Sequence, residues 1–435
     1  MGMDKTLHTD GIVTEDGFLK APLRIKLSDG CIGSIESSGT GAAETGCIAL
    51  PGMVQAHVHL GQTLFRGMAE DRTLLPWLEE RIWPLEASHT PDTVAVSVIH
   101  GLKELFASGC TALLDMGLVR GAEVIVDILR RSGMRARAGN SLMDLGPDWI
   151  AEEISWLREE SERVRKACGE LVDYVYVPRF ALSCSDDIWE WMSDLPGETV
   201  KSTHASESRS ELECKAIAEC GGNIHFLHMR GFTGPGTLLA HCIHLQDREI
   251  DILGTTGTVA VHCPWTNLRL GSGIADIPAL SGAGVRIALG SDGAACNNRL
   301  DLTGDARLAM GLASVRAEPS ALSSKFWLES LTAGGASALG WKRTGRLSEG
   351  CAADIVLLKP APDEWEELLR CQDPVRYILE LPWAERVSRT IINGRTVYIE
   401  GEYPTLPESP MKLDDARKTV IERASGLPGN PPARR

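Results

Sequence analysis

Met53-Val-Gln-Ala-His-Val-His59 is a seven-residue run without a helical period, apolar at its start and closing on two imidazoles. Runs of the same kind recur at 111–116, 135–144, 174–181, 200–204, 237–241, 258–262 and 286–292, most of them ending on a polar residue. Helical patterns at 93–108, 122–132, 150–167 and 211–220 separate many of them. Eight strands alternating with helices over roughly 300 residues are what a (β/α)8 barrel requires. An open doubly wound sheet is the alternative, but no G-x-G-x-x-G follows an early strand.

Outside this block the pattern changes to short strands and turns. Runs at 23–27 and 31–35 flank Ser28-Asp29-Gly30 and precede a Ser/Gly/Thr stretch at 37–42. Similar runs at 353–358, 387–392 and 397–400 are punctuated by Asn393-Gly394 and Glu400-Gly401. The expectation is an α/β protein, a TIM-type barrel over 53–344, with a small composite β-sandwich built from both chain ends, 1–52 and 345–405. Residues 406–435 are expected to form one helix over 414–424 and a disordered end.

The 435 residues are 43% hydrophobic and 24% charged, enough for a packed core and not a disordered composition. Forty-four basic against 59 acidic residues give −15, which repels nucleic acid and anionic membranes. No apolar run approaches the length of a membrane span. The twelve cysteines are scattered through apolar segments without a CxxC pair, as expected of reduced thiols in a cytoplasmic protein.

Side chains alternate along a strand, so His57 and His59 share one side and could ligate one metal ion. Alone, such a pair is also what two packed strand histidines look like. His204, His241 and Asp292 end three more expected strands, and a barrel gathers strand ends at its top face. Imidazoles with a carboxylate suit a zinc-type ion better than magnesium or calcium, which prefer oxygen shells. Glu207, three residues beyond His204, can exchange a proton beside such an ion; otherwise it is an acid favoured at a helix start. His241 could polarise an electrophile or be a further ligand.

Five stretches together resemble the amidohydrolase superfamily: Pro51-Gly-Met-Val-Gln-Ala-His-Val-His59, Thr203-His-Ala-Ser-Glu207, Ala240-His-Cys-Ile-His-Leu245, His262-Cys-Pro-Trp-Thr-Asn-Leu-Arg-Leu-Gly-Ser-Gly273 and Gly290-Ser-Asp-Gly-Ala-Ala-Cys-Asn-Asn298. They are most similar to the branch of adenosylhomocysteine and methylthioadenosine deaminases, guanine deaminases and triazine chlorohydrolases, over about residues 48–400. The resemblance implies one divalent ion, zinc by preference, on His57, His59, His204 and Asp292. It gives the proton to Glu207, with His241 touching water and substrate.

The resemblance also bears on the substrate, a small heterocycle. Leu74-Leu-Pro-Trp-Leu78 and Ile82-Trp-Pro-Leu-Glu86 are similar to the loop that offers ribose hydroxyls a Glu in adenosyl-type deaminases, which would be Glu86, with Trp83 beside it. Arg179 and Phe180, with Gln62, are similar to guanine deaminases, where the Arg-Phe pair holds the purine; Arg179 could instead be an ion-pair partner at the barrel mouth. Asn140 stands where the adenosylhomocysteine enzymes use an Arg for the amino-acid tail, which favours a smaller 5'-modified adenosine. Guanine deamination, triazine hydrolysis and a catalytically silent purine-binding protein are the alternatives, and a homodimer is the candidate assembly.

Overall fold

The computed structural model describes residues 6–38 and 45–427; most of the expected loop at 37–42 and the end of the tail, 428–435, lie outside them. The chain opens with β1 (Thr6–Thr14), β2 (Gly17–Ser28) and β3 (Cys31–Ser37), an antiparallel meander, and β4 (Ile48–Pro51) then lies parallel to β1. Strand β1 is not among the expected runs because its alternation breaks at Asp10, where the register slips between Thr9 and Gly11.

The barrel follows. Its strands are β5 (Met53–His59), β6 (Cys110–Asp115), β7 (Arg135–Ala138) continued by β8 (Ser141–Leu142), and β9 (Val172–Tyr174) continued by β10 (Val177–Pro178). Then come β11 (Lys201–Ala205), β12 (Thr237–His241), β13 (Val259–His262), and β14 (Arg286–Leu289) continued by β15 (Asp292–Gly293). All pair in parallel, and β15 returns to β5 to close the ring. Val54, Ala56, Leu114, Val177, Val261 and Ala288 fill its interior, over a floor formed by the Ala333–Ala338 helix.

The last strands, β16 (Ile355–Leu358), β17 (Val387–Ile392) and β18 (Arg395–Ile399), complete the first sheet, because β16 pairs with β4. The order is β18-β17-β16-β4-β1-β2-β3, seven strands drawn from both ends of the sequence. The sheet folds back on itself: Ile32 N–H donates to Cys351 O at 2.8 Å, closing β3 over Ile25, Ile355 and Ile391.

Two of the expected barrel strands are interrupted for visible local reasons. At Gly139, β7 runs so close to the next strand that a Cβ there would fall well inside contact distance of the Val175 carbonyl oxygen. The run 286–292 breaks at Gly290-Ser291, where the Gln55 side chain replaces the backbone ladder, accepting from Ser291 N–H at 2.6 Å. The expected helix at 211–220 is divided into Arg209–Leu212 and Lys215–Cys220, and Glu211 caps the first of these by turning its carboxylate back onto the N–H groups of Glu207 and Ser208. Among the described residues, no helix is long and apolar enough to cross a membrane.

The bend that matters most lies in β5. Its pairing with β6 advances from Gln55 opposite Leu113 to Val58 opposite Asp115, three residues against two. This bulge reverses the alternation, so His57 and His59 continue the inward face begun by Val54 and Ala56, while Val58 turns to the outer layer. Replacing Gly139 by Ala should force β7 away from Val175 and lower the thermal midpoint, an overpacking cost of about 3 kcal/mol; an unchanged melting curve would contradict the close approach.

Candidate active site

At the C-terminal end of the barrel, β5 delivers His57 and His59, β11 delivers His204, and β15 delivers Asp292. One potential ligand atom from each lies within 4.8 Å of every other. Asp292 Oδ1 is 3.4 Å from His57 Nε2 and 3.3 Å from His59 Nε2, and the Nε2 atoms of His59 and His204 are 3.2 Å apart. His204 Nδ1–H donates to the Arg179 carbonyl at 2.6 Å, so its Nε2 presents a lone pair to the cluster. Burial holds His57, His59 and His204 below the ordinary histidine range, His59 at about 3, so all are neutral donors near pH 7. Burial alone would raise Asp292, but the close approach of the His57 ring, aided by His59 and His241, holds it well below the carboxylate range.

These residues fit a divalent metal ion. Both His57 ring nitrogens are buried without a hydrogen-bond partner, a costly state unless an ion completes them. Three neutral imidazoles and one carboxylate are also donors of the kind that hold zinc.

Glu207 and His241 stand beside the cluster. His241 Nδ1–H donates to Asn267 Oδ1 at 2.8 Å, which aims Nε2 at Glu207 Oε2, 3.4 Å away, and at Asp292 Oδ2, 4.0 Å away. Burial, then the charge of Asp292, raises the Glu207 carboxyl well above its ordinary range. Its Oε1 has no partner. The sharp exits of these strands require left-handed backbone at Ser206, His241, Cys242 and Asp292, with φ of 52°, 77°, 49° and 61°. Such strain is retained where the surroundings fix a functional geometry.

The model of the amidohydrolase family matches residues 48–397. The chain belongs to that family. Among curated relatives, the 5-methylthioadenosine/S-adenosylhomocysteine deaminase of Syntrophobacter fumaroxidans is 34% identical over 361 residues, 81% of this chain and 80% of its own length. The deaminase of the same name from Haloquadratum walsbyi is 32% identical over 369 residues, 81% and 83% of the two chains. A zinc-bound adenosine deaminase from Xanthomonas campestris shares the fold, with a TM-score of 0.86 at 24% identity over 98% of this chain and 99% of its own.

In this amidohydrolase the metal-type cluster opens into a narrow pocket of about 30 Å³ lined by Gln62, Leu74, Trp77, Leu78, Arg179, Phe180, Glu207 and Leu270. Arg179 is not free to meet a ligand squarely. It forks onto Glu86, with Nη1 to Oε2 at 2.6 Å and Nη2 to Oε1 at 3.3 Å, and Gln62 Nε2 donates to Oε1 at 2.9 Å. Glu86 itself faces a second cavity of about 210 Å³, lined also by His89, Val94, Leu118, Val119, Arg120 and Ile150.

Two expected contacts are not brought to the pocket. Trp83 packs into the hydrophobic core, and Trp77, across a π-helical turn at Leu78–Ile82, takes the pocket wall instead. Pro84 has no N–H for the carbonyl at 80, which favours the widened turn. Asn140 follows the parity of Ala136 and Ala138, which face the outer helical layer, so its Oδ1 accepts from Ser161 and Tyr174 rather than from a ligand.

Other residues that hold the site went unassigned in the sequence. Asn267 lies within the motif at 262–273, and Glu211 reads as an ordinary first-turn acid. Gln55 is the one whose signal was plain, an amide inside an otherwise apolar stretch of strand. His89 ties Gly61 to the segment after Glu86, its Nε2–H donating to the Gly61 carbonyl at 2.8 Å. Burial lowers His89 to about 4. Because the unfolded chain takes up this proton first, wild type should lose stability relative to His89→Gln as pH falls from about 6.5 toward 4. Thermal midpoints of both proteins across that range test it, and parallel curves would contradict it.

Proposed function

We propose that this amidohydrolase removes the amino group of a 5'-modified adenosine, such as 5'-deoxyadenosine or 5-methylthioadenosine, by hydrolysis. The observation that carries the reading is Glu207, a buried acid with an unpartnered oxygen beside a metal-type cluster, its carboxyl raised well above the ordinary range. Its bare oxygen can exchange a proton with a bound substrate.

We assign His57, His59, His204 and Asp292 to a divalent ion, zinc by the preference of this donor set. When bound, such an ion makes hydroxide available from water near neutral pH. Glu207 gives its proton to the ring nitrogen beside the amino-bearing carbon as oxygen adds to that carbon. Of the water's two protons, one restores Glu207. The other passes by way of Asp292 and His241 to the amino group, which leaves as ammonia while a ring carbonyl forms.

The substrate assignment rests on what lies beyond the metal pocket. Glu86 is neutralised by Arg179, yet Oε2 accepts from Arg179 alone among the described residues and keeps a lone pair for a hydroxyl. A free base has no use for a diol acceptor or for the cavity behind it. That cavity is walled by Val94, Leu118, Val119 and Ile150, and the charge of Arg120 is already met by Glu152 at 2.5 Å. A small apolar 5' group suits this lining better than an amino-acid tail. The names of the curated relatives support the same class. Guanine recognition by Arg179 is disfavoured because the fork of its guanidinium is already turned onto Glu86.

Glu207→Gln should retain a full complement of metal while ammonia release falls by about 10³-fold; an active variant would remove Glu207 from the mechanism. Across a panel of adenosine, 5'-deoxyadenosine, 5-methylthioadenosine, S-adenosylhomocysteine, guanine and a chlorotriazine, kcat/KM should be highest for the two small 5'-modified nucleosides. Preference for guanine or the triazine would overturn the substrate assignment.

A further inference from the structure

The amidohydrolase match ends at residue 397, but the chain continues across the barrel. After β18 it passes the Ala122–Ser132 helix, where Thr405 Oγ1 donates to the Ser132 carbonyl at 2.6 Å. It then forms a helix, Leu413–Ser425, which buries Ala416, Val420 and Ala424. Small side chains at four-residue spacing let this face approach closely. The helix packs on the turn Leu60–Phe65, on Trp83–Ala87 and on the Pro91–Ala107 helix.

Those neighbours are the two ends of the roof over the pocket. The segment between them supplies Leu74, Trp77 and Leu78 to the pocket wall. With Leu74, Trp77 and Leu78 on the wall of this narrow pocket, the roof stands in the path of a nucleoside. At one end, Arg417 Nη2 donates to the Arg66 carbonyl at 2.9 Å, just before Gly67, whose φ is +73° and whose surroundings are open. At the other, Arg423 Nε donates to the Ser88 carbonyl at 2.9 Å, two residues after Glu86. Gln62 and Glu86, which bond each other at 2.9 Å, lie at these two feet.

We propose that Arg417 and Arg423 are positioning residues that pin both feet of the roof, keeping Gln62 and Glu86 in register while the stretch between them opens to admit substrate. The link to substrate rests on the nucleoside reading above; the mechanical link does not. Neither arginine touches the metal-type cluster, so their loss should leave the chemistry intact and loosen the substrate side.

The test compares the full-length wild type with R417A/R423A and R417K/R423K, all with metal content measured. Amide hydrogen exchange in peptides covering 60–66 and 83–89 should accelerate in the alanine variant, with the barrel strands unchanged, and should recover in the lysine variant, which still offers a donor. With 5-methylthioadenosine, KM should rise about five- to tenfold per lost tether while kcat stays within about twofold. Unchanged exchange at both feet overturns the proposal. So does acceleration throughout the protein, which would make the helix a general stabiliser, and so does local loosening with an unaltered KM. If wild type deaminates no nucleoside, the functional reading fails, and the exchange comparison still decides whether the arginines pin the roof.

Discussion

Three imidazoles and a carboxylate crowded at the mouth of a barrel, with the His57 nitrogens lacking any hydrogen-bond partner, form an arrangement that the protein alone cannot make comfortable. The surrounding design is intelligible as support for that cluster. The Arg179 carbonyl sets the tautomer of His204, Asn267 sets that of His241, and Gln55 anchors Ser291 immediately before Asp292. Each support leaves a reactive atom bare and turned inward. The negative charge of Asp292 adds to burial in raising the Glu207 carboxyl above its ordinary range. A cation and a proton donor are thus two answers to one local excess of electron pairs.

The barrel strands could be seen in the sequence because each is short, apolar and closed by a polar end. The ligand residues could be seen because they occupy those ends. His57, His59, His204 and Asp292 do converge, whereas the reason His57 and His59 face inward was hidden. Simple alternation from Val54 and Ala56 would have pointed Val58 at the site; the bulge corrects this through pairing with β6, which one strand's sequence does not contain. Asn140 shows the converse. Its position at the end of a barrel strand looked functional, yet parity sends it to Ser161 and Tyr174. Trp83 and Trp77 differ for a similar reason, since a π turn shifts which aromatic reaches the pocket. Backbone irregularities therefore decided what residue type and spacing left open.

The Arg179–Glu86–Gln62 junction links the pocket by the metal-type cluster to the cavity behind it. A buried ion pair of this kind contributes little net stability, because desolvation offsets most of the attraction. Its value is geometric, since a planar fork fixes a carboxylate in both position and orientation. The pair also explains how the chain can carry features similar to two kinds of purine deaminase at once: the arginine that would read a base is used to hold the acid that would read a sugar.

The seven-stranded sheet has a consequence for how the molecule is made. Strand β4 finds its neighbour β16 only after some three hundred further residues have left the ribosome, so the amino-terminal half-sheet must wait with the apolar edge of β4 unpaired. During synthesis that edge is a site where nascent copies could zip together. The final act of assembly, closing β16 against β4, removes it and brings the first and last parts of the polypeptide into one sheet.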